Sequence, residues 1–217
     1  SNLLLEGSKD NILKFSATDL EVQVSLSVET KIENDFSITI AARKLFDITR
    51  SLPENSSINI QVEESKATVK AGKSKFNLQT LPIKDYPLMK TEKDDIEKIT
   101  VPQNQLKATL KYVDFAMAQQ DIRYYLNGLL FEVDGKKLNI VGTDGHRLSF
   151  NSINLSEASE KKQIIIPRKT VLELIKLLDD SSDAIEISLT KNQVTFDFNN
   201  ISLITKVIDG KFPDYNR

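Results

Sequence analysis

Apolar and polar residues alternate along most of the chain. NILKFSA (11–17), LEVQVSLSVET (20–30), SINIQVEE (57–64), ATVKAG (67–72) and KFNLQTL (75–81) change character at every second residue, as half-buried strands do. EKITVP (97–102), GLLFEVDG (128–135), KLNIVGT (137–143), QIIIPRK (163–169), AIEISLT (184–190), QVTFDFN (193–199) and ISLITKV (201–207) predict further strands. A helical period appears in ARKLFDITRSL (42–52), QNQLKATLKYVDFAMA (103–118) and PRKTVLELIKLLDD (167–180), the last opening with Pro167 in its first turn. Many strands and few helices predict an α+β fold built on antiparallel sheets.

These elements recur with a period of about 125 residues. Asn2 matches Asn127, Thr18-Asp19 matches Thr143-Asp144, and Arg43-Lys44 matches Arg168-Lys169, each pair opening a helix after a strand. Tyr86-Pro87 matches Phe212-Pro213 after a one-residue slip. The chain therefore reads as two copies of one domain, 1–95 and 96–217, joined by the charged connector KTEKDDIEK (90–98). The second copy begins with a strand and the long helix at 103–118, for which the first has no counterpart. The offset predicts that about 30 residues precede the chain. The end, DGKFPDYNR, stops where copy one closed, so a further copy is expected beyond it.

The 217 residues allow one large or two medium domains, and 40% apolar residues suffice for real cores. A net charge of -2 gives no general attraction to nucleic acid or membrane, although a local basic surface remains compatible with it. The absence of cysteine removes disulfide and thiolate chemistry and fits a reducing compartment. No apolar run is long enough to span a bilayer, and SNLLLEGSKD is not a signal peptide. A cytoplasmic protein is the expectation.

Residues shared by both copies are most simply structural, and residues found in one copy are better functional candidates. By this test Thr18-Asp19 and Thr143-Asp144 are turn residues, their carboxylates capping backbone N–H groups. Gly145-His146-Arg147 differs, because copy one has Leu20-Glu21-Val22 there. Gly145 implies a special backbone angle or a close approach by another group. His146 is the only histidine in the chain. With Asp144 two residues earlier on the same strand face, it could form a dyad, the basis of an alternative reading as a small hydrolase. No nucleophile elbow, phosphate loop or zinc ligand set accompanies it, so no metal or other cofactor is expected. A plain structural repeat protein is a third reading.

Basic residues gather on the predicted helices: Lys107 and Lys111, then Arg168, Lys169 and Lys176, with Arg43, Lys44 and Arg50 in copy one. They form either a modest positive face or ordinary solvated helix surfaces with acidic partners such as Asp47 and Glu173. QQDIRYYLNG (119–128) adds Gln120, Arg123, Tyr124 and Tyr125, a set able to stack on or bond to nucleic acid, or to edge a core.

QQDIRYYLNGLLFEVDG, VGTDGHRLS, IIIPRK and DGKFPDY resemble the middle domain of the bacterial DNA polymerase III beta subunit, the sliding clamp family. SATDLEVQV, ARKLFDITRSLPE and FNLQTLPIKDYP resemble its first domain, so the motifs run in order over nearly the whole chain. The resemblance implies repeated clamp domains, each with antiparallel sheets outside and two helices on the inner face. The first would lack its opening strand and helix, and the third domain would be absent.

The resemblance implies a non-enzymatic processivity factor. Two subunits would form a ring around double-stranded DNA without sequence preference. A hydrophobic pocket would take short linear motifs of DNA polymerase III subunits, clamp loader and repair factors. Carried over by motif, the peptide-binding positions are Leu126, Thr143, Gly145, His146, Arg147, Leu148, Pro213 and Arg217. The DNA-binding positions are Arg43, Lys44, Gln120, Tyr124, Tyr125, Arg168 and Lys169. The stretch 73–81 would pair edge to edge with the third domain of another subunit.

Overall fold

The computed structural model describes residues 2–63, 65–92 and 94–217. Ser1 of the strand-like opening run, Glu64 at the end of the strand predicted over 57–64, and Lys93 of the predicted connector lie outside the described residues. The chain divides into two compact units, one ending at Leu88 and the other beginning at Met89. No helix of the described residues is long and apolar enough to cross a membrane.

In the first unit, β1 (Asn2–Ser8), β2 (Ile12–Thr18), β3 (Val22–Glu29) and β4 (Phe36–Ala41) precede α1 (Ala42–Ser51). Then come β5 (Asn59–Val62), β6 (Lys66–Ala71) and β7 (Ser74–Leu81). The strand order is β5-β6-β7-β4-β1-β2-β3, every neighbour antiparallel. The alternation read in the sequence faces Leu5, Ile38, Ile40, Ala67, Val69 and Leu78 into one core, which Leu45 of α1 joins. β7 pairs with β6 along Ser74–Gln79 but meets β4 only at Thr80 and Leu81. The rest of its second edge carries no strand among the described residues.

The second unit repeats this plan with an added strand and helix in front. β8 (Glu97–Pro102) leads into α2 (Gln103–Val113), β9 (Gly128–Thr143), β10 (Leu148–Pro167), α3 (Arg168–Leu177), β11 (Ala184–Leu189), β12 (Gln193–Phe198) and β13 (Ile201–Lys206). The last three strands and β8 form an antiparallel sheet in the order β13-β12-β11-β8. Gly128–Val133 of β9 pairs with Lys162–Pro167 of β10, and Lys137–Thr143 with Leu148–Asn154. Residues 132 and 139 would stand about 23 Å apart in a straight strand. Instead Asn139 Nδ2 donates to Glu132 Oε2 at 3.2 Å, and Gly135 adopts φ +58° between them. β9 therefore folds back on itself, which restores the four-strand arrangement of β1 to β4.

Mostly antiparallel sheet with few helices is the α+β architecture predicted. Four local differences stand out. The predicted helix 103–118 is α-helical only to Val113 and tightens into a 3-10 turn at Asp114–Ala116, a common way to end a helix. Pro167 precedes α3 at its N-cap with ψ 142° instead of lying in the first turn, because β10 runs straight into the helix. α1 begins one residue before Arg43 whereas α3 begins on Arg168, so the matching Arg-Lys pairs are displaced by one helical position. Leu148–Lys162 was not among the predicted strands. Its apolar residues are outnumbered by Ser, Asn, Glu and Lys, and Leu148 and Phe150 face solvent while Ile153 and Leu155 are buried.

α2 and α3 lie on β9 and β10. Leu106, Leu110 and Val113, at helical spacing on α2, are fully buried, as are Val171 and Leu174 of α3. We expect Leu110→Ala to cost about 2–5 kcal/mol of stability through lost burial and the cavity left behind, measured by denaturant unfolding.

Candidate functional site

The Thr-Asp turns of the two units match atom for atom. Thr18 Oγ1 donates to Val22 O at 2.9 Å and accepts from the Leu20 N–H at 3.1 Å. Thr143 Oγ1 donates to Arg147 O at 2.7 Å and accepts from the Gly145 N–H at 3.1 Å. Asp19 Oδ1 accepts from the N–H groups of Glu21 and Val22 at 3.1 and 2.9 Å. Asp144 Oδ1 accepts from those of His146 and Arg147 at 2.9 and 3.0 Å. The structural reading of the shared pair holds. The third residue is left-handed in both, Leu20 at φ +80° and Gly145 at φ +87°.

What differs is the surroundings of Gly145. A Cβ there would stand 2.8 Å from Arg123 Nη1. That guanidinium donates to the Asp144 carbonyl at 3.1 Å and binds Asp121 through Nη2 at 2.7 Å and Nε at 3.0 Å. Both causes inferred for Gly145, a special angle and a close approach, are present. The side-chain hydrogen bonds from Arg123, followed by its backbone N–H, hold the Asp121 carboxyl down to about 2.

The hydrolase alternative falls here. Asp144 and His146 lie in the turn between β9 and β10, not on a strand face. Asp144 Oδ1 is occupied by backbone N–H groups and Oδ2 by Arg147 Nε at 3.0 Å. These backbone hydrogen bonds, then the Arg147 side chain, hold its carboxyl below the usual range and commit it to the turn. His146 is exposed. Among the described residues no group of three or more His, Cys, Asp or Glu side chains could hold a metal ion.

An apolar, partly open surface surrounds the turn. Leu148 is 49% exposed and Phe150, two residues along β10, is 48% exposed. Arg147 lies over the Phe115 ring at 5.4 Å, and Ser149 Oγ donates to Tyr112 O at 2.8 Å, which ties the end of α2 to this strand. Thr143 is buried and serves the turn, and Leu126 is buried at 1% exposure. The closing segment reaches the same surface: Tyr215 stacks on Phe150 with centroids 5.8 Å apart, leaving Pro213 and Arg217 exposed. Phe212 is buried against Leu130, Val141 and Ile165. Its match in the first unit, Tyr86, donates its hydroxyl to Ser16 O at 2.8 Å and Asn2 O at 3.2 Å.

Beneath this surface Glu132 accepts from the Tyr215 hydroxyl, Gln163 Nε2 and Asn139 Nδ2, with Lys161 Nζ at 3.8 Å. Burial pushes the Glu132 carboxyl up, but these donors more than reverse it, and the group lies below the usual range. Burial, then the Glu132 carboxylate, pushes the Tyr215 phenol up to about 12. Glu132, Tyr215, Phe150 and Phe115 were not singled out from the sequence, since each gains its meaning from a partner remote along the chain.

Of the DNA-binding candidates, Tyr124 is exposed and meets Tyr125 edge to face at 5.8 Å. Gln120, at φ +56°, is exposed, as is Lys169, while half-buried Arg168 donates to Asp114 O at 3.5 Å. In the first unit Arg43 pairs with Asp47 at 3.1 Å and shares the Phe46 ring with Arg50, and Lys44 is exposed. Lys176 pairs with Glu173 at 2.9 Å and Lys107 with Asp180 at 3.0 Å. The acidic partners foreseen at Asp47 and Glu173 are present. The exposed pairs, Arg43 with Asp47 and Lys176 with Glu173, are worth about 0–1 kcal/mol each. A separate cleft of about 200 Å³, between Thr91, Glu92, Lys98, Glu186 and Asp197, holds none of the residues named from the sequence.

Compared with known protein families, residues 1–90 match the N-terminal domain of the DNA polymerase III beta subunit, and residues 100–214 match its central domain. The chain belongs to this family. It is 40% identical over 219 residues to the beta sliding clamp of Vibrio cholerae and 42% identical over 221 residues to that of Pseudomonas aeruginosa. In each case all of this chain matches 59% of the relative, so it spans 59% of the length of these curated clamps. The crystal structure of the Pseudomonas aeruginosa DNA polymerase III subunit beta superposes with a TM-score of 0.95 at 40% identity, over all of this chain and 59% of that one. A clamp from the same organism bound to griselimycin gives 0.94 at 41% identity, over all of this chain and 58% of that one.

Two outcomes are expected. Gly145→Ala should cost about 1–2 kcal/mol from the left-handed backbone and displace Arg123, whereas Leu20→Gly should stabilise the first unit, both read by denaturant unfolding. Because Asp121 is depressed in the fold, its contribution is complete above its unfolded pKa, about 3.9, and is lost as pH falls toward 2. Arg123→Ala should return the Asp121 carboxyl toward its unfolded value in a carbon-detected NMR titration.

Proposed function

We propose that this chain is part of a DNA sliding clamp, a binding scaffold without chemistry of its own that keeps the replicative polymerase on its template. The two units are read as first and second clamp domains, 1–95 and 96–217. In the whole protein, two subunits close a ring around double-stranded DNA in the bacterial cytoplasm. Sequence-independent sliding requires diffuse phosphate contacts and no base readout. The exposed Lys44, Gln120, Tyr124 and Lys169, with the weakly paired Arg43, suit that role.

The observation that carries the peptide-binding half is the open apolar surface beside the Gly145–Leu148 turn, where Leu148 and Phe150 are each about half exposed. A buried Leu or Phe anchor of a short linear motif would rest on Leu148 and Pro213 above Leu126. Gly145 keeps the turn free of a side chain beside the Arg123 guanidinium, and His146, Arg147 and Arg217 can bond the peptide's carbonyls or carboxylate. That a clamp of this fold was solved with griselimycin supports a ligand-accepting surface on it. Polymerase subunits, clamp loader and repair factors are the partners this reading names.

An NMR titration with the pentapeptide Gln-Leu-Ser-Leu-Phe tests it. Saturable shifts clustered at Gly145, His146, Arg147 and Leu148 are expected, and their absence with the fold intact would refute a peptide site in the second unit. The open edge of β7 over Ser74–Gln79 also predicts association of one chain with another, since unpaired strand edges seek partners. Sedimentation equilibrium should show mass rising with concentration, and a chain monomeric at millimolar concentration would remove that expectation.

A further inference from the structure

The closing segment is attached to the second unit at two places of different chemistry. Phe212 is an apolar anchor, buried against Leu130, Val141 and Ile165. Tyr215 is a polar one, its hydroxyl donated to Glu132, a carboxylate on β9 that is only 4% exposed. The other donors to Glu132 come from the sheet itself, Asn139 of β9 with Gln163 and Lys161 of β10. Tyr215 alone brings in the segment outside the sheet. A hydrogen bond to an ionised acceptor is stronger than a neutral one, and a buried carboxylate deprived of a donor is penalised. Both effects favour keeping Tyr215 in place.

The first unit supplies the comparison. Its Glu6 lies opposite Lys14 on β2 and Ser37 on β4, as Glu132 lies beside Asn139 and opposite Gln163. Glu6 is only half-buried, and the first unit closes through the Tyr86 hydroxyl on the backbone oxygens of Asn2 and Ser16. The four-strand arrangement therefore forms without a caged carboxylate. The Asn139, Gln163 and Tyr215 enclosure belongs to the second unit, where the segment it fastens carries Pro213 and Arg217 and its tyrosine stacks on Phe150 beside Leu148.

We infer that Glu132 is a positioning residue: a buried post that tethers Tyr215 and so holds Pro213 and Arg217 in the shape a bound peptide meets. This rests on the peptide-binding reading above and adds to it a pair that touches no peptide. Asp214, between the anchors, reinforces the arrangement by accepting from Arg217 Nε at 3.1 Å.

The test uses the 217-residue chain with Tyr215→Phe, Glu132→Gln and the double variant. Tyr215→Phe keeps the ring and its stack on Phe150 and removes only the hydroxyl, so the fold is retained even where Glu132→Gln proves damaging. Affinity for Gln-Leu-Ser-Leu-Phe should fall about tenfold in each single variant, the loss expected for one hydrogen bond to a charged group. The double variant should be no weaker than the weaker single one, because both remove the same contact. Amide exchange over residues 214–217 should quicken while the strands stay protected. A lower unfolding temperature with unchanged affinity in Tyr215→Phe would make the pair merely structural and overturn the inference, as would unchanged exchange at 214–217. If the unsubstituted chain takes up no peptide, the functional reading fails and the positioning role with it. The exchange measurement then still decides whether the tether exists.

Discussion

Five residues of backbone reversal, Thr143 to Arg147, set the geometry on which the second unit depends, and Thr18 to Val22 do the same for the first. Two side chains satisfy most of the polar backbone groups that such a tight turn exposes. The threonine hydroxyl bridges an N–H and a C=O, and the aspartate takes two further N–H groups. With those groups satisfied, the register of the flanking strands follows: Thr18 stands opposite Gln23, and Thr143 opposite Leu148. A slip of one residue would turn every inward side chain of these strands to solvent. The register also decides which residues of β10 emerge on the open surface.

Much of this was legible in the sequence because strands announce themselves by alternation and repeats by spacing. β6, β11, β12 and β13 lie within a residue of their predicted ends, since each has one buried face and short turns. The shared Thr-Asp pairs pointed to turns and proved to be turns. The first part of β10 escaped because its exposed positions hold Leu148 and Phe150 while its polar residues dominate, so the pattern that marks a core-facing strand is inverted there. The tightening of α2 after Val113 and the position of Pro167 escaped because residue type does not distinguish an α-turn from a 3-10 turn, or a cap from a first turn.

The candidate site divides the same way. Gly145, His146 and Arg147 stood out because the other copy lacks them. Asp144 and His146 looked like a catalytic pair only while the backbone was taken as a strand, and the bend that separates their roles is a property of the turn. Glu132 and Tyr215 are 83 residues apart. Neither has a local signature, since a glutamate on an alternating strand and a tyrosine after a proline are ordinary by themselves. Long-range polar contacts of this kind become visible only once the sheet has brought their segments together.

The matched turns also explain what glycine is for at residue 145. The first unit holds Leu20 at nearly the same backbone angle, so the bend does not by itself forbid a side chain. What a side chain would add here is a contact with the guanidinium of Arg123, the far end of a flexible chain, which would have to move aside. A duplicated fold carries its own control experiment: one half displays the loop without the wedge, the other with it. The halves thus differ in an arginine from a neighbouring loop, whose guanidinium lies against the glycine, while the bend itself is the same in both.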